Sequence, residues 1–127
     1  MRLEPALSRS ALGTAPLNLG GDWKNELQSE MHLEQNGSAL TGHYKSYKND
    51  AGEIAAEGSL VGWVSGKLIA FSVNWDGLDS ITSWVGQHVD DDRDGPRLAT
   101  LWQMTQAVRD GSEWESIKAG ADTFWRV

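Results

Sequence analysis

The chain has 127 residues, a formal net charge of −7, 7 tryptophans, 14 glycines and no cysteine. That length supports one core, the missing thiols exclude disulfides and thiolate metal sites, and the acidic balance argues against a nucleic-acid partner, which calls for a basic patch. No stretch approaches the roughly 18 apolar residues of a membrane span, so no membrane partner is expected.

Residues 1–19, MRLEPALSRSALGTAPLNL, mix Arg2 and Glu4 with Pro5 and Pro16 and read as an irregular arm. They lack the continuous apolar run of an intact secretory signal. From residue 20 to 127 the chain becomes short period-two runs separated by Gly-containing turns, the pattern of a single β domain. The first run, Asp22 to Gln28, sets Trp23, Asn25, Leu27 and then Ser29 on one face against Asp22, Lys24, Glu26 and Gln28 on a wet one. Met31 to Glu34 follows and ends at Asn36-Gly37, a strong hairpin marker. Ser38 to Ser46 places Leu40, Gly42, Tyr44 and Ser46 opposite Thr41, His43 and Lys45, and KNDAG then makes a loop. Ile54 to Val61 leads through VSGK into Leu68 to Trp75, whose apolar face is Ile69, Phe71, Val73 and Trp75. DGLD turns the chain into Ser80 to Val89, the acidic DDDRDGP into Arg97 to Gln106, and the GSEWES connection into a last strand, Asp122 to Val127. No helical period lasts three turns. The expected architecture is all-β, an eight-stranded antiparallel up-and-down barrel, whose lumen is either filled by side chains or holds one small ligand.

The expected inward faces decide between these. They carry Asn25, Leu27 and Ser29; Tyr44 and Ser46; Trp75; Ser80, Thr82 and Trp84; Leu98, Thr100, Trp102 and Met104; and Asp122. Burying a polar group without a partner costs about 1–3 kcal/mol, and a filled core has little reason to bear that repeatedly. One Ser or Thr in a strand usually bonds nearby backbone or faces the rim. Polar groups beside Trp on four separate strands are the mixture of a cavity that hydrogen-bonds a polar head and encloses it in rigid aromatic walls.

The segments GDWKNELQS, ALTGHYKS, SITSWVGQ, LWQMT and ADTF together resemble strands of the avidin and streptavidin family, over Gly21 to Val127. A Gly-x-Trp opening alone is shared with lipocalins; the combination is specific. The resemblance implies an avidin-like barrel that binds biotin non-covalently, catalyses nothing and needs no cofactor. Asn25, Ser29 and Tyr44 match donors to the ureido oxygen of biotin, and Ser46 and Asp122 match acceptors for its two N–H groups. Thr82 matches the hydroxyl facing the thioether sulfur, and Trp75, Trp84 and Trp102 match the aromatic box. Leu27 and Met104 line the apolar part, Ser80 matches a contact to the valerate carboxylate, and Lys48-Asn49-Asp50 falls where a loop closes over the ligand. Trp114 matches a tryptophan that reaches into a neighbouring subunit's site, which implies self-association, a homotetramer first and a dimer second. The family also implies a secreted or periplasmic protein. Lys48 and Asp50 depart from the small, apolar loop of streptavidin, and Leu78 and Asp79 at the rim differ as well.

Other readings carry less. A lipocalin-like carrier of an apolar ligand predicts mostly apolar inner faces. A hydrolase built on Asp122 needs a partner such as Glu113 or Glu115, and nothing fixes that pair at a working separation. The Asp90–Asp94 run lacks the spaced ligands of a calcium loop, and His32, His43 and His88 lack metal-ligand spacing and are expected to face outward.

Overall fold

The computed structural model describes residues 2–127. Eight strands close into a barrel in sequence order: β1 (Gly21–Asn25), β2 (Glu30–Asn36), β3 (Ala39–Tyr47), β4 (Ile54–Ser65), β5 (Leu68–Trp75), β6 (Ser80–Val89), β7 (Arg97–Gln106) and β8 (Ile117–Arg126). Every neighbouring pair is antiparallel, and β1 closes the ring by pairing with β8 through Trp23↔Arg126 and Asn25↔Phe124. The expected all-β barrel is therefore the observed one. Closure removes sheet edges, which suits a chain whose runs are too short to be stable as open hairpins.

Three boundaries differ from the sequence reading by three residues or more. β1 stops at Asn25 instead of Gln28, because Gln28 adopts a left-handed backbone (φ 64°) that turns the chain into β2. β4 continues to Ser65, so the Val64-Ser65-Gly66-Lys67 turn is shorter than expected. β8 begins at Ile117, five residues before Asp122, since the cross-strand partners Thr105↔Ile117 to Thr100↔Asp122 extend its ladder with β7.

Short helical turns appear at Leu3–Leu7, within the arm, and at Glu113–Glu115, before β8. The end of the arm is part of the barrel's packing. Leu19 is only 1% exposed, its N–H donates to Gln35 Oε1 (2.8 Å), and its carbonyl accepts from Trp23 Nε1 (2.9 Å). Period-two reasoning missed it because it precedes the first strand.

The core fills one end of the lumen with Leu33, Leu40, Leu60, Val64, Ile69, Phe71, Leu98 and Phe124, each at most 3% exposed. At roughly 25 cal/mol per Å² of apolar surface, one fully buried Leu or Phe contributes about 1.5–3 kcal/mol, so this end supplies most of the fold's stability. Glycine is required where strands crowd. A Cβ at Gly58, between Tyr44 and Trp75 in the ladders, would collide with the Asn74 carbonyl oxygen.

Candidate ligand-binding site

The other end of the lumen is polar, and its groups are tied to one another. Asn25, the last residue of β1, sits at the start of the turn into β2. Its side-chain oxygen accepts from the N–H groups of Leu27 (3.0 Å) and Ser29 (2.9 Å). Both are backbone donors, so the amide orientation is fixed: the NH2 must point the other way, into the lumen, where it lies 3.3 Å from Tyr44 Oη. The turn thus uses the acceptor of Asn25 and leaves its donor for the site. Ser29, 6% exposed, offers a hydroxyl to the same Tyr44 oxygen.

Tyr44 is 3% exposed and stands at the centre. Burial, assisted by the Asp122 charge, pushes its phenol far above the ordinary value, so it stays a neutral hydroxyl throughout the physiological range. Its ring stacks on Trp84 (5.0 Å between centroids) and meets Trp75 edge-on (5.5 Å, 89°). Phe71 stacks on Trp84 too (4.9 Å), so the apolar core buttresses the aromatic wall of the site.

Each of the two buried-facing indoles has an acceptor. Trp84 Nε1 donates to Asp122 Oδ2 (2.8 Å) and Trp75 Nε1 to Thr82 Oγ1 (2.9 Å). Burial raises the Asp122 carboxyl above the usual carboxylate range. The neighbouring Glu26 carboxyl adds to the rise, and hydrogen bonds from Trp84 and Asn25 oppose it. Thr100 Oγ1 holds the Asp122 backbone oxygen (2.8 Å), which steadies the strand beneath the carboxyl. Trp102, opposite Trp84 in the β6–β7 ladder, lies flat over Gly120: a Cβ there would stand 2.5 Å from the indole. Met104 is half-buried opposite Thr82, and Ser46 half-buried beyond Tyr44, beside a register shift in β3.

The structure therefore gathers Asn25, Ser29, Tyr44, Thr82, Trp75, Trp84 and Asp122 at one end, with Trp102, Met104 and Ser46 around them. Leu27 is not on the inner face. It is 77% exposed, because the strand has already ended at Asn25 and the alternation stops with it. Ser80 lies at the rim and donates to the Thr105 carbonyl (3.2 Å). Lys48 and Asn49 belong to the β3–β4 loop, which is laced internally: Lys48 N–H to the Glu53 carbonyl (2.8 Å), Lys48 Nζ to Glu53 (3.4 Å), and Asn49 Nδ2 to Glu53 Oε2 (3.1 Å). This loop faces the Leu27–Gln28 turn across a polar groove of ≈ 510 Å³. Trp114 is 79% exposed on the turn before β8.

Two residues at the site escaped the sequence reading. Glu26 belongs to the wet face by alternation, yet the turn swings its carboxylate back against β8, where Oε2 accepts the Thr123 N–H (2.9 Å) beside Asp122. Gly120 carries no signal of its own except its register opposite Trp102. His32 and His43 are on the outer surface as expected, in contact with Asp22 and Glu57. Among the described residues no three His, Asp or Glu side chains gather to hold a metal.

The chain is similar to known proteins in sequence and in fold. A family model described as "Avidin family" matches residues 13–127. Avidin of Gallus gallus is 28% identical over 134 aligned positions, covering 98% of this chain and 88% of that protein. The crystal structure of xenavidin superposes with a TM-score of 0.72 at 28% identity, over 88% of this chain and 99% of that one. A rhizavidin–biotin complex superposes at 0.70 with 26% identity, over 87% and 92%. Avidins are biotin-binding proteins without enzymatic activity. A matching family model across nearly the whole sequence, on a closed eight-stranded barrel with this polar end, establishes that the chain belongs to the avidin family.

Proposed function

We propose that this protein binds biotin with high affinity at the polar end of the barrel. The observation that carries the reading is the fixed orientation of Asn25, whose NH2 is held toward Tyr44 by two backbone donors on its oxygen. Asn25, Ser29 and Tyr44 then present three donors to one ureido oxygen, while Asp122 and Ser46 accept from the ureido N–H groups. Donors on one edge and a carboxylate on the other polarise the urea, and charge-assisted bonds are about twice as strong as neutral ones. Trp75, Trp84 and Trp102 box the bicyclic ring, with Thr82 toward the sulfur and Met104 along the apolar tail. Ser80 and the Lys48–Asn49 loop meet the carboxylate end, where Lys48 is already neutralised in part by Glu53. Leu27, on the exposed turn, covers the mouth instead of lining the ring pocket. Preorganisation reduces the ordering cost that erodes affinity.

Self-association is part of the proposal, a homotetramer first and a dimer second. The outer face carries a register row Trp63, Ala70, Val85, Leu101, Ala121 across five strands, with Trp63, Val85 and Leu101 each more than 60% exposed. An exposed apolar belt of this kind marks a protein interface, and a second copy is its natural cover. Trp114, still more exposed, would reach into a neighbour's site in such an assembly. A secreted or periplasmic location follows from the same family reading.

Titration calorimetry with biotin tests the site. The wild type is expected to bind too tightly for direct titration. Asn25→Ala is expected to lose about 3 kcal/mol, on the order of a hundredfold, because the ureido oxygen loses a donor. Asn25→Asp keeps the acceptor that the turn needs but sets a second carboxyl beside Asp122, so it should lose some stability and bind still more weakly. Micromolar wild-type binding, or unchanged variants, would refute the site.

A further inference from the structure

We propose that Glu26 is a positioning residue for Asp122: anchored across the open end of the β1–β8 seam, its carboxylate makes biotin capture by Asp122 depend on pH. This rests on the biotin reading above. The β1–β8 ladder ends at Asn25↔Phe124, where the chain leaves β1 for the turn. The next inward donor on β8, the Thr123 N–H, would be orphaned; Glu26 Oε2 accepts it at 2.9 Å. That side-chain rung holds the Glu26 carboxylate against Asp122, the residue that meets the ureido N–H.

No cation offsets this pair. The elements packed on Asp122 present Asn25 and Glu26 from the end of β1, Tyr44 from β3, Trp84 from β6 and Thr100 from β7; of these only Glu26 and Tyr44 titrate, and the phenol stays neutral. Burial and the adjoining Glu26 carboxylate both make Asp122 hold its proton more strongly. With the proton on Asp122, the charge that strengthens its bond from the ureido N–H is lost. Binding therefore selects ionised Asp122 and releases a proton wherever the free protein retains one there. Affinity rises with pH, by up to about tenfold per unit for one linked proton, and levels off once Asp122 is ionised in the free protein.

The test uses the full chain. Glu26→Gln keeps a carbonyl oxygen for the Thr123 N–H and turns the carboxyl into an amide that donates to Asp122. Biotin dissociation rates are measured at about pH 8 and about pH 5, with the ¹³C carboxyl titration of Asp122 followed in ligand-free protein. Acidification is expected to accelerate release from the wild type by about tenfold or more, and from Glu26→Gln at least threefold less, with a lower Asp122 midpoint in the variant. The ligand's own carboxylate titrates identically in both and cancels. Glu26→Ala, which also breaks the seam bond, should lose thermal stability while keeping the flattened profile of Glu26→Gln. Parallel wild-type and Glu26→Gln profiles overturn the role of Glu26 and leave biotin binding intact, wherever the Asp122 midpoint lies. Failure of the wild type to bind biotin at either pH overturns the biotin reading, and the role of Glu26 with it.

Discussion

Leu33, Leu40, Val64, Ile69 and Leu98 fill one end of the lumen; Asn25, Tyr44, Thr82 and Asp122 occupy the other, and β3 contributes Leu40 to the first and Tyr44 to the second. On β1 the change takes two residues, from Trp23 to Asn25. On β3 it runs from Leu40 through Gly42 to Tyr44, and on β7 from Leu98 through Thr100 to Trp102. The first end obtains its free energy from apolar area, which is indifferent to direction. The second depends on pairs that are specific in angle: Asn25 with Tyr44, Trp75 with Thr82, Trp84 with Asp122. Among the described residues no fully buried side-chain polar atom lacks a partner, so the polar end holds its shape through its own bonds. A ligand gains there by matching the groups that remain open, and such a site rejects a molecule that lacks the matching partners.

This contrast can be broken at either end. The largest effect is expected from Phe124→Ala, which empties the filled end beneath Tyr44 and Phe71: about 3–5 kcal/mol of unfolding free energy in denaturant melts, with biotin affinity preserved wherever the protein remains folded. Asn25→Asp should weigh the other way, with a loss of affinity larger than its loss in the melt. Gly120→Ala sharpens the boundary between the two. Its methyl group must push the Trp102 indole away, costing about 1–3 kcal/mol in crowding, and calorimetry should register most of that as weaker binding since the indole is a wall of the site.

The smallest effect lies far from both ends, in the Asp90–Asp94 turn. There the Arg97 guanidinium grips Asp91 with bonds of 2.9 and 3.0 Å and lowers its pKa to about 2. A depressed carboxyl contributes stability that is fully present above its unfolded value near 4 and disappears as pH falls toward about 2. Because the pair is exposed and screened, Arg97→Gln should leave the neutral-pH melt and biotin affinity essentially unchanged, with a slight flattening of the acid limb. A large neutral-pH effect would show that the turn does more than solvate the end of β6.

Alternation alone identified most strands and put Tyr44, Thr82, Trp84 and Asp122 on the inner face, since a side chain on a pleated strand has only two directions to choose from. It failed where the pleat ends. Leu27 was expected inside and is outside, Glu26 the reverse in effect, because Gln28 takes a left-handed conformation and Asn25 clasps the turn with its side chain. It failed again at Leu19, which enters the core before any strand begins, and at β8, whose first five residues have too weak an apolar pattern to announce pairing with β7.

The amino-acid order thus determined the class of fold, the inventory of donors, acceptors and indoles, and the face on which most of them lie; these follow from a two-residue period that needs no knowledge of distant chain segments. Closure of β1 onto β8 decided the rest. It brought Glu26 to Asp122 from 96 residues away, while the β1–β2–β3 ladders carried Asn25 to Tyr44 across 19 residues and the β7–β8 register set Trp102 on Gly120. Such contacts depend on register and turn geometry across the seam, where a shift of one residue would have sent every one of these side chains to the opposite face.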